Sequence, residues 1–88
     1  MYETYETPAK IAEYFGIKTN IRVHITAIYA NGEWLRGFYG QPTLARLRGL
    51  SRRKTEAIAV TYRGRTADFT IAEIIKYSER PLFGGKII

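Results

Sequence analysis

The chain contains no cysteine, which excludes a disulfide framework and any zinc site built on thiolates. Its single histidine, His24, rules out a histidine dyad or a His-based metal site within one subunit. Acids are few, eight Asp and Glu against fourteen Lys and Arg. Glu13, Glu33, Glu56, Asp68, Glu73 and Glu79 are scattered, and none is spaced to form a carboxylate pair for acid–base work. No apolar run approaches the ~18 residues that a membrane-spanning helix needs. The opening MYETYETPAK is acidic where a secretory signal is positive, and no apolar stretch follows it. No glycine loop cradles a phosphate ahead of Lys or Ser, since Gly84-Gly85-Lys86 lies too near the C-terminus. These absences lead us to expect a soluble, cytoplasmic, non-enzymatic protein without cofactor, metal or membrane partner.

Positive charge is what the chain has in abundance. A net charge of +6 on 88 residues favours a polyanionic partner. Half of the cations (Arg46, Arg48, Arg52, Arg53, Lys54, Arg63 and Arg65) fall between positions 46 and 65, where Glu56 is the only acid. Arginine forks match phosphate oxygens, and each phosphate neutralised releases counterions and strengthens binding. The same charges could simply solvate an exposed helix, but charge kept only for solubility has no reason to cluster. LARLRGLSRRK is therefore the leading candidate for contact with nucleic acid, RNA or DNA.

Local patterns predict an α+β domain of one unit spanning residues 1–88. A polar arm occupies 1–7. Thr7-Pro8 then reads as a helix start, with Thr7 as N-cap, Pro8 first in the helix, and Gly16 as its C-terminal stop. Residues 21–40 form a β-hairpin on the Asn31-Gly32 turn, because both residues tolerate the positive φ of a type I′ turn. The register that follows pairs Tyr29 with Trp34, Ala27 with Arg36, Ile25 with Phe38 and Val23 with Gly40. Strict alternation puts Val23, Ile25, Ala27, Tyr29, Trp34 and Phe38 on a core face. Arg22, His24, Thr26, Ile28, Leu35 and Tyr39 fall on the outer one.

Leu44, Leu47 and Leu50 recur at spacing three, which predicts a short basic helix with its arginines outward, ending or bending at Gly49 and Ser51. A second hairpin covers 57–71, with Gly64-Arg65 as a type II′ turn that pairs Tyr62 with Ala67 and Val60 with Phe69. Its apolar face is Ile58, Val60, Tyr62, Ala67, Phe69 and Ile71. Thr70-x-x-Glu73 has the form of a capping box before a final helical turn, and Pro81 closes it ahead of a tail at 81–88. Two hairpins with one apolar face each bury those faces by curling into a small SH3-like barrel or a bent antiparallel sheet.

Asn31, Gly32, Leu35 and Gly37 form an N-G-x-x-L-x-G run that resembles the signature of the Sm-like family, in particular its bacterial Hfq branch. The resemblance implies a small barrel, a ring-shaped homo-oligomer and single-stranded RNA as ligand. Phe38-Tyr39-Gly40-Gln41 stands where many of that family carry an Asp-x-x-Asn, so no individual RNA contact follows from it. Ala45, Gly49 and Ser51 also resemble the small-residue pattern of a helix-turn-helix, with the second hairpin as the wing of a winged-helix DNA-binding regulator. Aromatic rings interleave with Arg22, Arg36 and Arg63. Of these rings, the outer-face Tyr39, together with His24, is the stacking candidate, and Phe38, Tyr29 and Trp34 are assigned to the core. The expected nucleic-acid site is then Arg46, Arg48, Arg52, Arg53, Lys54, Arg63, Arg65, Tyr39 and His24. The alternative is an assembly subunit that uses its strand edges to form a homo-oligomer without nucleic acid.

Overall fold

The computed structural model describes residues 7–17 and 22–78. Most of the expected arm at 1–7 and the whole of the tail at 81–88, with Pro81, lie outside the described residues. The described chain runs α1 (Ala9–Phe15), β1 (Val23–Ala30), β2 (Glu33–Arg36), α2 (Leu44–Arg52), β3 (Thr55–Tyr62), β4 (Arg65–Thr70) and α3 (Ile71–Ser78). The expected α+β class and the element order are therefore present.

The strands form one antiparallel sheet in the order β2-β1-β3-β4. Each hairpin keeps its strands adjacent, and the two hairpins join where β1 pairs with β3. Among the described residues the sheet is not closed, with β2 and β4 at its edges, so of the two expected forms it is not the barrel, and an open, bent antiparallel sheet is compatible with it. All three helices cover one face. Ile11 and Phe15 of α1, Leu47 of α2, and Ile71 and Ile74 of α3 form a single buried cluster with Val23, Ile25, Ile58 and Val60. A two-turn helix cannot persist alone in water, so the apolar stripe of α1 requires this docking. No helix among the described residues is long and apolar enough to cross a membrane.

The first turn is as expected. Asn31 and Gly32 have φ of 56° and 80°, and Tyr29 pairs with Trp34 and Ala27 with Arg36. Beyond that the strict alternation fails. The β1–β3 register jumps between Ile25 and Ala27, with Ile25 opposite Val60 and Ala27 opposite Ala59. Thr26 is thus an inserted residue, a β-bulge, and a bulge reverses which side the following residues face. Ile28 lies opposite Ile58 and packs against the core, whereas Ala27 and Tyr29 turn to the other face. Past Arg36 the partner strand also leaves register. Gly37 donates to Thr26 O, Tyr39 donates to Ile25 O and Ile25 donates to Gly40 O. Ile25 therefore faces Tyr39 and Gly40 and not Phe38, and the expected core face of this hairpin is corrected accordingly.

The second hairpin also turns one residue earlier than expected. Arg63 and Gly64 are its two central residues, both at positive φ (51° and 81°), which makes a type I′ and not a type II′ turn. Tyr62 then pairs with Arg65, Val60 with Ala67 and Ile58 with Phe69. The slip moves each partner by two residues, and two preserves the face. Ile58, Val60, Tyr62, Ala67 and Phe69 accordingly stay on the core side, while Ile71 leaves the strand to begin α3. Helix α1 starts one residue later than expected, with Pro8 at the N-cap and no side-chain cap. The Thr7 hydroxyl is buried and has no hydrogen-bond partner among the described residues. Gly16 closes α1 in the left-handed region, its N–H donating to Ala12 O.

Candidate nucleic-acid interface

Helix α2 is built by its leucines. Thr43 caps it, its hydroxyl accepting from the Arg46 N–H, and Leu47 anchors it with no exposed surface. The helix continues through Gly49 and Ser51 to Arg52, because burial of Leu47 and packing of Leu50 outweigh the weak helix propensity of one glycine. Arg46, Arg48, Arg52, Arg53 and Lys54 are all exposed. Arg48 and Arg52 stand one turn apart and share a flank. Arg46 lies toward the other flank, where its Nε donates to Gln41 O at 2.9 Å. No acid occurs from position 44 to 55.

Arg63 and Arg65 do not join this group. They border the far turn of β3, whose ends Thr55 and Tyr62 are about 23 Å apart at ~3.3 Å per residue. Arg65 extends over the α1 side, its guanidinium carbon 5.4 Å from the Phe15 ring centroid and 6.0 Å from that of Tyr14. Arg63 lies 5.6 Å from the Tyr62 ring. The seven clustered cations of the sequence thus divide into five on and after α2 and two at the opposite end of the sheet.

Tyr39 and His24, expected on one outer face, are on opposite faces. Tyr39 packs against the core cluster, and its hydroxyl donates to Leu35 O at 3.2 Å. Its ring lies so close to Gly37 that a Cβ there would sit 3.2 Å from the hydroxyl oxygen. These contacts hold the Tyr39 ring on the helix-covered side of the sheet. His24 stays on the helix-free face, with its ring 5.0 Å from that of Phe38.

The rings assigned to the core from sequence are the ones that emerge. Phe38 is 72% exposed and Trp34 43%. The Trp34 ring lies 5.2 Å from that of Tyr29, its cross-strand partner. Beside these rings Thr26, Thr61 and Thr66 link hydroxyl to hydroxyl across β1, β3 and β4, at 3.0 and 2.9 Å. Sequence reasoning missed this face, although Ile28 and Leu35 on an otherwise polar side were the sign. Two large aliphatics placed on the wrong face point to a break in the period of two, and the bulge at Thr26 is that break.

Among the described residues no group of three or more His, Asp or Glu is placed to hold a metal ion. Comparison with protein-family models, curated proteins and solved structures finds no match for this chain.

Proposed function

We propose that this protein is a non-enzymatic nucleic-acid-binding module that contacts phosphates through the cations of α2 and the turn after it. One observation carries the reading: Arg46, Arg48, Arg52, Arg53 and Lys54 are exposed together on a segment without an acid. The leucine side of α2 packs on the core, and the arginine side faces solvent. Guanidinium groups gathered in this way suit a row of phosphates, and their binding strength comes from displaced counterions. The N-G-x-x-L-x-G resemblance to the Sm-like family points toward the same class of ligand. Helix α2 stands between two hairpins in the chain, so no helix directly precedes or follows it among the described residues as in a helix-turn-helix, which favours a general phosphate contact over groove reading.

Fluorescence anisotropy with labelled single-stranded RNA, single-stranded DNA and duplex DNA across a salt series tests this. We expect log Kd to rise linearly with log salt, with a slope of several units. The double substitution Arg52→Glu/Arg53→Glu should weaken every ligand and flatten that slope. Absence of binding to all three ligands at low salt defeats the reading.

A second reading, that of an assembly subunit, rests on β2. All four of its residues are exposed and it forms an edge of the sheet, and an unpaired edge can accept another strand. Sedimentation velocity distinguishes the two, since an assembly subunit keeps its oligomeric state through high salt and through the double substitution.

A further inference from the structure

The helix-free face of the sheet carries a second pattern, distinct from the charges of α2. Along β1 and β2 it runs ring pair, arginine, ring pair. Tyr29 and Trp34 form the pair near the Asn31-Gly32 turn, and His24 and Phe38 form the other. His24 and Tyr29 are five residues apart, about 16 Å at ~3.3 Å per residue. Arg36 pairs with Ala27 between them and is exposed.

Resting on the reading that the chain binds nucleic acid, we propose that this face is a stacking platform for a single strand, RNA or DNA. Bases of a duplex are already stacked and present only their edges. An unpaired strand can splay its bases onto exposed rings while its phosphates reach a nearby cation. Phe38 and Trp34 offer such rings, and Arg36 and the exposed Arg22 supply the charge. Of the acids near this face, Asp68 lies on β4, the edge strand farthest from β2, and the exposed Glu56 stands beside Ala57, the β3 partner of Tyr29. The Thr26–Thr61–Thr66 hydroxyls are bonded to one another, which leaves the row at most one outward O–H donor beside its acceptor lone pairs. A second copy of this chain complements the patch less well. Twofold pairing through it brings Arg36, at its centre, toward its own counterpart.

Trp34 is the only tryptophan, so its emission reports on the platform directly. The experiment titrates the full chain with oligo(dT) or oligo(U) of about 16 nucleotides, following Trp34 fluorescence and the anisotropy of an end-labelled oligonucleotide. The expected result is quenching of Trp34 by either single strand and none by a duplex of equal length. Phe38→Ala, at a side chain largely in solvent, should leave the circular dichroism spectrum unchanged. It should weaken single-strand binding by roughly five- to a hundredfold, the loss of one stacked base. Binding seen by anisotropy without quenching, and undiminished in Phe38→Ala, overturns the platform while leaving the phosphate reading of α2 intact. Failure of every oligonucleotide to bind at low salt removes both. A shift of Trp34 emission with protein concentration alone, tracking dimer formation in sedimentation, assigns the face to a second copy and likewise overturns the proposal.

Discussion

Tyr77 donates its hydroxyl to both carboxylate oxygens of Glu13, at 2.8 and 3.0 Å, and so ties α3 to α1. Lys10, one turn before Glu13, lies 5.5 Å from the centre of the same tyrosine ring. The contact is solvent-facing, and a charged acceptor strengthens it while water weakens it. Tyr77→Phe should therefore lower stability by about 1 kcal/mol. In a domain of this size that is a fall of roughly 4–8 °C in Tm by differential scanning calorimetry. An unchanged Tm means that the bond adds nothing beyond what water supplies.

Gly49 sits inside α2, and a Cβ built there meets nothing within 4 Å. Alanine loses less backbone entropy on entering a helix. Gly49→Ala should stabilise the protein by about 0.5–1 kcal/mol, read as a higher urea midpoint at constant slope.

Arg63 holds φ at 51° in a turn whose next residue, Gly64, is at 81°. Asparagine tolerates the left-handed region better than arginine and is favoured ahead of glycine in type I′ turns. Arg63→Asn should raise thermal stability by up to about 1 kcal/mol, and Gly64→Ala should lower it by about 1 kcal/mol or more. Opposite signs at adjacent positions of one turn are the signature to look for.

The bulge at Thr26 makes opposite demands on neighbouring residues of β1 and β2. Ile28 packs on the core, whereas Trp34 stands 43% exposed on the other face. Ile28→Ala should cost about 2–4 kcal/mol, and Trp34→Ala should cost about 1 kcal/mol or less even though it removes a far larger side chain. Urea denaturation followed by circular dichroism compares them. Equal losses contradict the reversal of faces.

The parts of the fold legible in the sequence were those set by local chemistry. Asn31-Gly32 dictates its turn because few other dipeptides accept two positive φ values. Gly16 stops α1 for the same reason, and the Leu44–Leu47–Leu50 spacing announces α2. Where two local signals compete, the sequence was ambiguous. Gly64 supports a turn with either Arg63 or Arg65 as its partner, and the pairing of β3 with β4 selects Arg63. The bulge was hidden because nothing local requires it. It appears only when Ile25 and Ile28 must both meet β3 on the helix side, opposite Val60 and Ile58. The candidate interface inherited that error. The arginines of α2 were legible because charge clustering is a property of the chain, whereas assigning Trp34, Phe38 and Tyr39 to faces needed the register.

The strand order β2-β1-β3-β4 also has a kinetic consequence. Each hairpin closes a two-residue turn and can form in microseconds. The seam between them joins Ala30 to Thr55 and Val23 to Tyr62, across the whole of β2 and α2. Contacts between residues so distant in sequence pay for loop closure before they gain anything from burial. The rate-limiting event in folding is then the meeting of two half-formed hairpins, with Ile25 and Val60 at the point of encounter. Truncating either should slow refolding in stopped-flow mixing, whereas changes at the two turn tips should act mainly on the rate of unfolding.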